Sequence, residues 1–153
     1  MYASFLFLHS AARWLLLLSL LYAIGRGMAG WTGRRPFTRH DNLVRHLTAT
    51  FSHVQLLIGY VLYFQSPLIA YFRAHIKETG LPFEFRFFGW IHVLLMTVAV
   101  ILITIGSAAA KRQETDLRRF RTMTIWFVLA LLLIIMAIPW PFSPLAHRPY
   151  IRI

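Results

Sequence analysis

Three of the seven histidines in this chain of 153 residues, His9, His53 and His92, fall inside apolar runs long enough to cross a membrane. An imidazole offers both a metal-binding lone pair and an N–H donor. It is also costly to place in hydrocarbon, so three within the spans point to a bound group. Arg13 stands four residues beyond His9 and so shares its helix face. A guanidinium at that depth costs about 2.5–3.5 kcal/mol on insertion scales. The five acids, Asp41, Glu78, Glu84, Glu114 and Asp116, all lie outside the spans, so the sequence offers Arg13 no in-span carboxylate. The anion of a cofactor becomes a candidate partner, with Gln55 of the second span at about the same level.

Depth ranks the histidines. At a rise of ~1.5 Å per residue, His9 and His92 each lie roughly 8–9 Å below the outer ends of their helices, and His53 roughly 17–18 Å. Two imidazoles that grip one haem iron from opposite faces need matched depth, and in an up-and-down bundle the first and third helices are diagonal. His9 and His92 are therefore the expected axial ligands of one non-covalent haem b. His53 is the substitute ligand, or a hydrogen-bonding group for a quinone. Arg13 would pair with a haem propionate or a quinone oxygen through charge-assisted bonds, with Gln55 assisting.

A structural account competes at each of these positions. A histidine in a span also bonds carbonyls or hydroxyls of neighbouring helices, and Arg13 could snorkel, or bond Gln55, Tyr60 or backbone carbonyls. On the second helix, Thr50, His53 and Tyr60 make one stripe and Ser52, Gln55, Gly59 and Tyr63 its neighbour; both fit helix packing. On the third, His92, Met96, Ala99, Ile103 and Gly106 share a face whose small residues admit either a helix or a flat ring. A zinc site from the three histidines is disfavoured by their unequal depth. The chain has no cysteine, which excludes iron–sulfur clusters, thiolate-ligated haem and covalent c-type attachment. It shows no in-span carboxylate pair, no Ser/His/Asp arrangement, no phosphate loop and no HExxH.

The elements that must position these residues follow from composition. Apolar residues make up 58% of the chain and charged residues 14%, against about 45–50% and about 25% in soluble domains. Four spans can be cut out, near residues 3–24, 43–65, 87–105 and 123–138, each close to the ~20 residues a membrane helix needs. The expected fold is an all-α membrane protein, a single domain over residues 1–153 folded as an up-down-up-down four-helix transmembrane bundle. A short interfacial helix is expected around residues 68–77. The stretch 26–41 reads as a long basic loop, with Asp41 as the cap of the second helix. The N-terminus reads as the first span itself rather than a removable signal.

The net charge of +11 sits between spans rather than on one face, a pattern of membrane topology and not of nucleic-acid binding. Arg26, Arg34, Arg35, Arg39 and Arg45 flank the first connection, and Lys111, Arg112, Arg118, Arg119 and Arg121 the third. The opposite side carries the smaller set Arg73, Lys77, Arg86, Arg148 and Arg152. By the positive-inside rule, the first and third connections are cytoplasmic and both termini face out.

Leu8-His9-Ser10 with Arg13, His53-Val54-Gln55-Leu56-Leu57-Ile58-Gly59, Leu62-Tyr63-Phe64 with Ser66-Pro67, Phe85-Arg86-Phe87-Phe88 with His92 and Met96, and Ile103-Thr104-Ile105-Gly106-Ser107 with Lys111-Arg112 and Asp116 together resemble short four-span bacterial proteins catalogued as "cytochrome B". The resemblance covers nearly the whole chain. It implies a b-type cytochrome of the bacterial inner membrane with in-span histidines as ligands. Such a protein would exchange electrons with quinone or with other subunits of a respiratory complex. Di-haem four-helix cytochromes use histidines on the fourth helix; this chain has none there, so its three in-span histidines suffice for one haem. The alternative expectation is a haem-free structural subunit of a membrane complex.

Overall fold

The computed structural model describes residues 2–142, 148, 149 and 151. They fold as α1 (Tyr2–Thr32), α2 (Arg39–Gln65), α3 (Pro67–Ala74), α4 (Phe83–Arg86), a π-helical turn (Phe87–Ile91), α5 (His92–Arg112) and α6 (Asp116–Ala137), with no strand among them. α4, the π turn and α5 run on as one rod, Phe83–Arg112. This rod, α1, α2 and α6 are each long and apolar enough to cross a membrane, as expected of a multi-pass membrane protein. α1 packs on α2 and α6, and α5 packs on the same two helices. The first and third spans therefore stand diagonally across a four-helix bundle.

The helices outrun the expected spans because their ends are set by caps and prolines rather than by hydropathy. α1 continues through Gly27 and Gly30 to Thr32. A Cβ at either glycine would collide with Thr124 or Phe120 of α6, so the missing side chains let the two backbones approach. The loop expected at 26–41 shrinks accordingly to the residues between Thr32 and Arg39.

Asp41 is not the cap of α2. Thr38 is, and Asp41 sits at the third helical position, where its carboxylate accepts the Thr38 backbone N–H at 2.9 Å while Thr38 Oγ1 accepts Asp41 N–H at 3.3 Å. This reciprocal capping box satisfies two donors that the first turn would otherwise leave open. Asp41 also accepts from Arg26 Nε and Nη2 at 2.9 and 2.7 Å, tying the end of α1 to the start of α2.

At the other end, Pro67 has no N–H to continue α2. It ends that helix and opens the interfacial α3 at its first turn. α3 is shorter than the expected 68–77 and buries Ile69 and Phe72. α6 closes at Ala137, two residues before Pro139.

The core is a narrow seam of Leu20, Ala23, Ala99, Ile103, Phe120, Met123, Phe127 and Ala130. Gly106 seats Trp126 of α6 directly against α5. Near the basic end, Arg45 is buried and spans the gap to α5. Its Nη1 donates to the Ser107 carbonyl at 2.9 Å and to the Ser107 hydroxyl, and its Nη2 donates to Asn42 at 2.8 Å.

Candidate functional site: a cavity between diagonal histidines

At the end of the bundle where α1 begins and α6 finishes, the helices part around a cavity of about 420 Å³. That lies within the range of pockets that hold cofactors and drug-sized ligands. Leu6, Leu56, Leu62, Ile69, Met96 and Ile134 are among its apolar lining residues. Its polar lining includes His9 and Arg13 of α1, Gln55 and Tyr63 of α2, and His92 at the start of α5. Four of the five residues singled out from sequence are thus brought to one chamber: His9, His92, Arg13 and Gln55.

His53 is not part of that lining. It lies on the exposed flank of α2, with Nε2 2.8 Å from Thr104 Oγ1. Thr104 spends its one hydroxyl proton on the Val100 carbonyl, at 2.7 Å. It must therefore accept from His53, which places the proton on Nε2 and removes that nitrogen from any metal. Tyr60 repeats the pattern one stretch along, bonding Thr97 at 2.8 Å while Thr97 donates to Val93. His53 and Tyr60 therefore both tie α2 to α5, but Tyr60 also lines the cavity beside the neighbouring stripe of Gln55, Gly59 and Tyr63.

His92 has the opposite tautomer. A backbone carbonyl can only accept, so Nδ1 donates to Ala137 O at 2.8 Å and Nε2 keeps its lone pair. No hydrogen bond to Nε2 occurs among the described residues. The ring rests between Phe87 and Phe88, at centroid distances of 5.9 and 5.8 Å. Ala137 is the last residue of α6, where carbonyls lack an intrahelical partner. The end of one helix thus sets the proton on a histidine of another.

The π turn precedes His92 directly. Its Gly89 carbonyl accepts the Tyr63 hydroxyl at 2.9 Å, and Gly89 leaves room for the Phe72 ring of α3, which a Cβ would strike. The wider turn adds one residue to the helical repeat and so sets which way His92 points, a common use of π-bulges at functional sites.

His9 packs against α2 where Gly59 has no side chain; a Cβ there would come within 3.2 Å of the imidazole Cε1. Gln55 Nε2 donates to the His9 carbonyl at 3.0 Å and lies 3.5 Å from His9 Nε2. Two buried polar atoms of this pair, His9 Nδ1 and Gln55 Oε1, have no hydrogen-bond partner among the described residues. Such orphaned groups call for a ligand or water. Arg13 lines the chamber, with its guanidinium carbon 5.5 Å from the Trp14 ring centroid. Trp14 in turn meets Trp140 edge-on at 6.2 Å.

Tyr63, Gly59 and Arg148 were not singled out as site residues from sequence. The first two were visible as the helical continuation of Gln55, at i+8 and i+4. Arg148 carried no signal: it follows the last span, pairs with Glu84, and lies over the Phe88 ring at 5.1 Å beside the chamber. No group of three or more His, Cys, Asp or Glu side chains gathers among the described residues.

The fold and site define a multi-pass helical membrane protein with a ligand-sized cavity between two diagonal histidines. Comparison with protein-family models, curated proteins and solved structures yields no match.

Proposed function

We propose that the chain is a membrane b-type cytochrome holding one non-covalent haem between His9 and His92, for electron exchange with quinone or with a larger respiratory complex. The carrying observation is that these two histidines, from helices diagonal in the bundle, line the same cavity. The residues fit the group. His92 presents Nε2 with Nδ1 tied to a carbonyl, the arrangement that orients metal-ligating histidines. His9 sets its Cε1–Nδ1 edge in the Gly59 gap, and Met96, Phe88 and aliphatic side chains supply apolar walls. When bound, haem iron supplies one-electron redox chemistry. The chain's own residues hold the imidazoles, exclude water and set a cation, Arg13, beside the ligand; a nearby cation favours the more reduced state. The bacterial inner membrane, with both termini on the periplasmic side, is the location that the basic connections favour.

A second reading is favoured by a specific observation. Gln55 Oε1 is an acceptor with no donor among the described residues, and a quinol hydroxyl would donate to it. In that case the chamber takes a quinol and the protein is a quinone-binding subunit without haem.

The test is a pyridine haemochrome assay on protein purified from haem-replete cells, with iron quantified per chain. Close to one haem per chain is expected, with a sharp reduced alpha band. His9→Ala and His92→Ala should each abolish the low-spin spectrum, and His53→Ala should keep it. A colourless, folded protein would sink the haem reading, and quinol recovered by extraction of that same protein would establish the second.

A further inference from the structure

A second recess, of about 310 Å³, opens at the opposite, basic end of the bundle, between the end of α5 and the start of α6. Gln113, Arg118, Arg121, Thr122, Ile125 and Trp126 line it. Neither Arg118 nor Arg121 has a carboxylate within 4 Å among the described residues; the nearby Asp116 is engaged by Arg119 at 3.5 Å. Arg121 is steadied by Trp31 of α1, whose ring centroid lies 5.8 Å from its guanidinium carbon. Trp126 is fixed as a wall because Gly106 lets it sit directly on α5. The recess therefore joins two guanidiniums to an apolar floor.

We propose that this recess binds the headgroup of an anionic phospholipid. Arg118 and Arg121 would take the phosphodiester oxygens, with one acyl chain descending along α6. Guanidiniums match phosphate geometry through paired N–H donors. The apolar continuation selects a lipid over a soluble anion: Ile125, Leu129 and Leu132 follow at i, i+4 and i+7 and are all exposed, on a helix apolar enough to span a membrane. Basic pockets at the ends of membrane helices are a recurring form of lipid recognition. The site is remote from the histidine cavity and does not depend on what that cavity holds.

The experiment uses the full chain in phosphatidylcholine vesicles containing a small fraction of phosphatidylglycerol, with bromine on the acyl chains of one lipid or the other. Quenching assigned to Trp126 is the difference between the wild type and Trp126→Phe. That component should show phosphatidylglycerol favoured over phosphatidylcholine by about thirtyfold, two basic contacts at about fivefold each. Arg118→Gln/Arg121→Gln should bring it to parity, whereas Arg34→Gln/Arg35→Gln, which removes the same charge from the neighbouring loop, should leave it intact. Arg118→Lys/Arg121→Lys keeps the topological charge and should still lose part of the preference, lacking the planar fork. Equal loss in the Arg34/Arg35 variant would show diffuse attraction and overturn the site. So would an unchanged preference in the lysine variant, or displacement of the lipid by millimolar inorganic phosphate.

Discussion

Replacing Gln55 by leucine separates a residue kept for binding from one kept for stability. Gln55 is 8% exposed and makes one good hydrogen bond, from Nε2 to the His9 carbonyl at 3.0 Å. That carbonyl is already an acceptor within α1, so it is not orphaned by the change. Side-chain hydrogen bonds between membrane helices average ~0.6 kcal/mol, and a typical one in water reaches about 1.5 kcal/mol. Against this stands Oε1, buried without a partner among the described residues, whose desolvation costs about 1–3 kcal/mol. Leucine removes both and fills similar volume with apolar atoms. Gln55→Leu should therefore leave the ligand-free protein unchanged or stabilise it by up to about 2 kcal/mol. Its occupancy by the native cofactor should fall. Reversible unfolding by dodecyl sulfate in mixed micelles, on ligand-free protein, gives the first quantity, and cofactor content after purification gives the second. Destabilisation by more than about 1 kcal/mol would mean that Gln55 serves the fold, and the inference from its orphaned oxygen would be wrong.

Three further outcomes follow from the packing. Asp41→Ala removes both the capping box and the Arg26 ion pair and should cost about 0.5–2 kcal/mol, with faster amide exchange confined to the first turn of α2. Gly106→Ala puts a methyl group against Trp126 Cβ, an atom that cannot swing aside without moving α6. It should cost about 1–3 kcal/mol in the same unfolding assay, more than alanine at Gly25, where nothing lies within 4 Å. Because the chain has no cysteine, single cysteines report topology directly. Arg35→Cys should react with an impermeant maleimide only after the cytoplasmic side is opened, and Lys77→Cys should react in intact cells; the reverse would overturn the orientation.

The existence and order of the four spans were legible in the sequence, because length and hydropathy are one-dimensional properties and the bilayer reads them as such. The common level expected of His9 and His92 rests on the same kind of count, residues multiplied by a helical rise, and the structure brings both side chains to one cavity. Rotation about each helix axis was not. In a membrane the lipid side and the bundle side are both apolar, so hydrophobic periodicity does not mark the inward face as it does in a soluble helix. His53 and Gln55, two residues apart on α2, could not be sorted by pattern; the tertiary fold turns Gln55 into the cavity and spends His53 on Thr104. Caps were confused by a similar degeneracy, because Thr38 and Asp41 are both good capping residues and only the direction of the incoming chain from α1 makes Thr38 the cap. The proton on His92 lies furthest from the sequence. It depends on the carbonyl of Ala137, 45 residues away, which is free to accept only because α6 ends there.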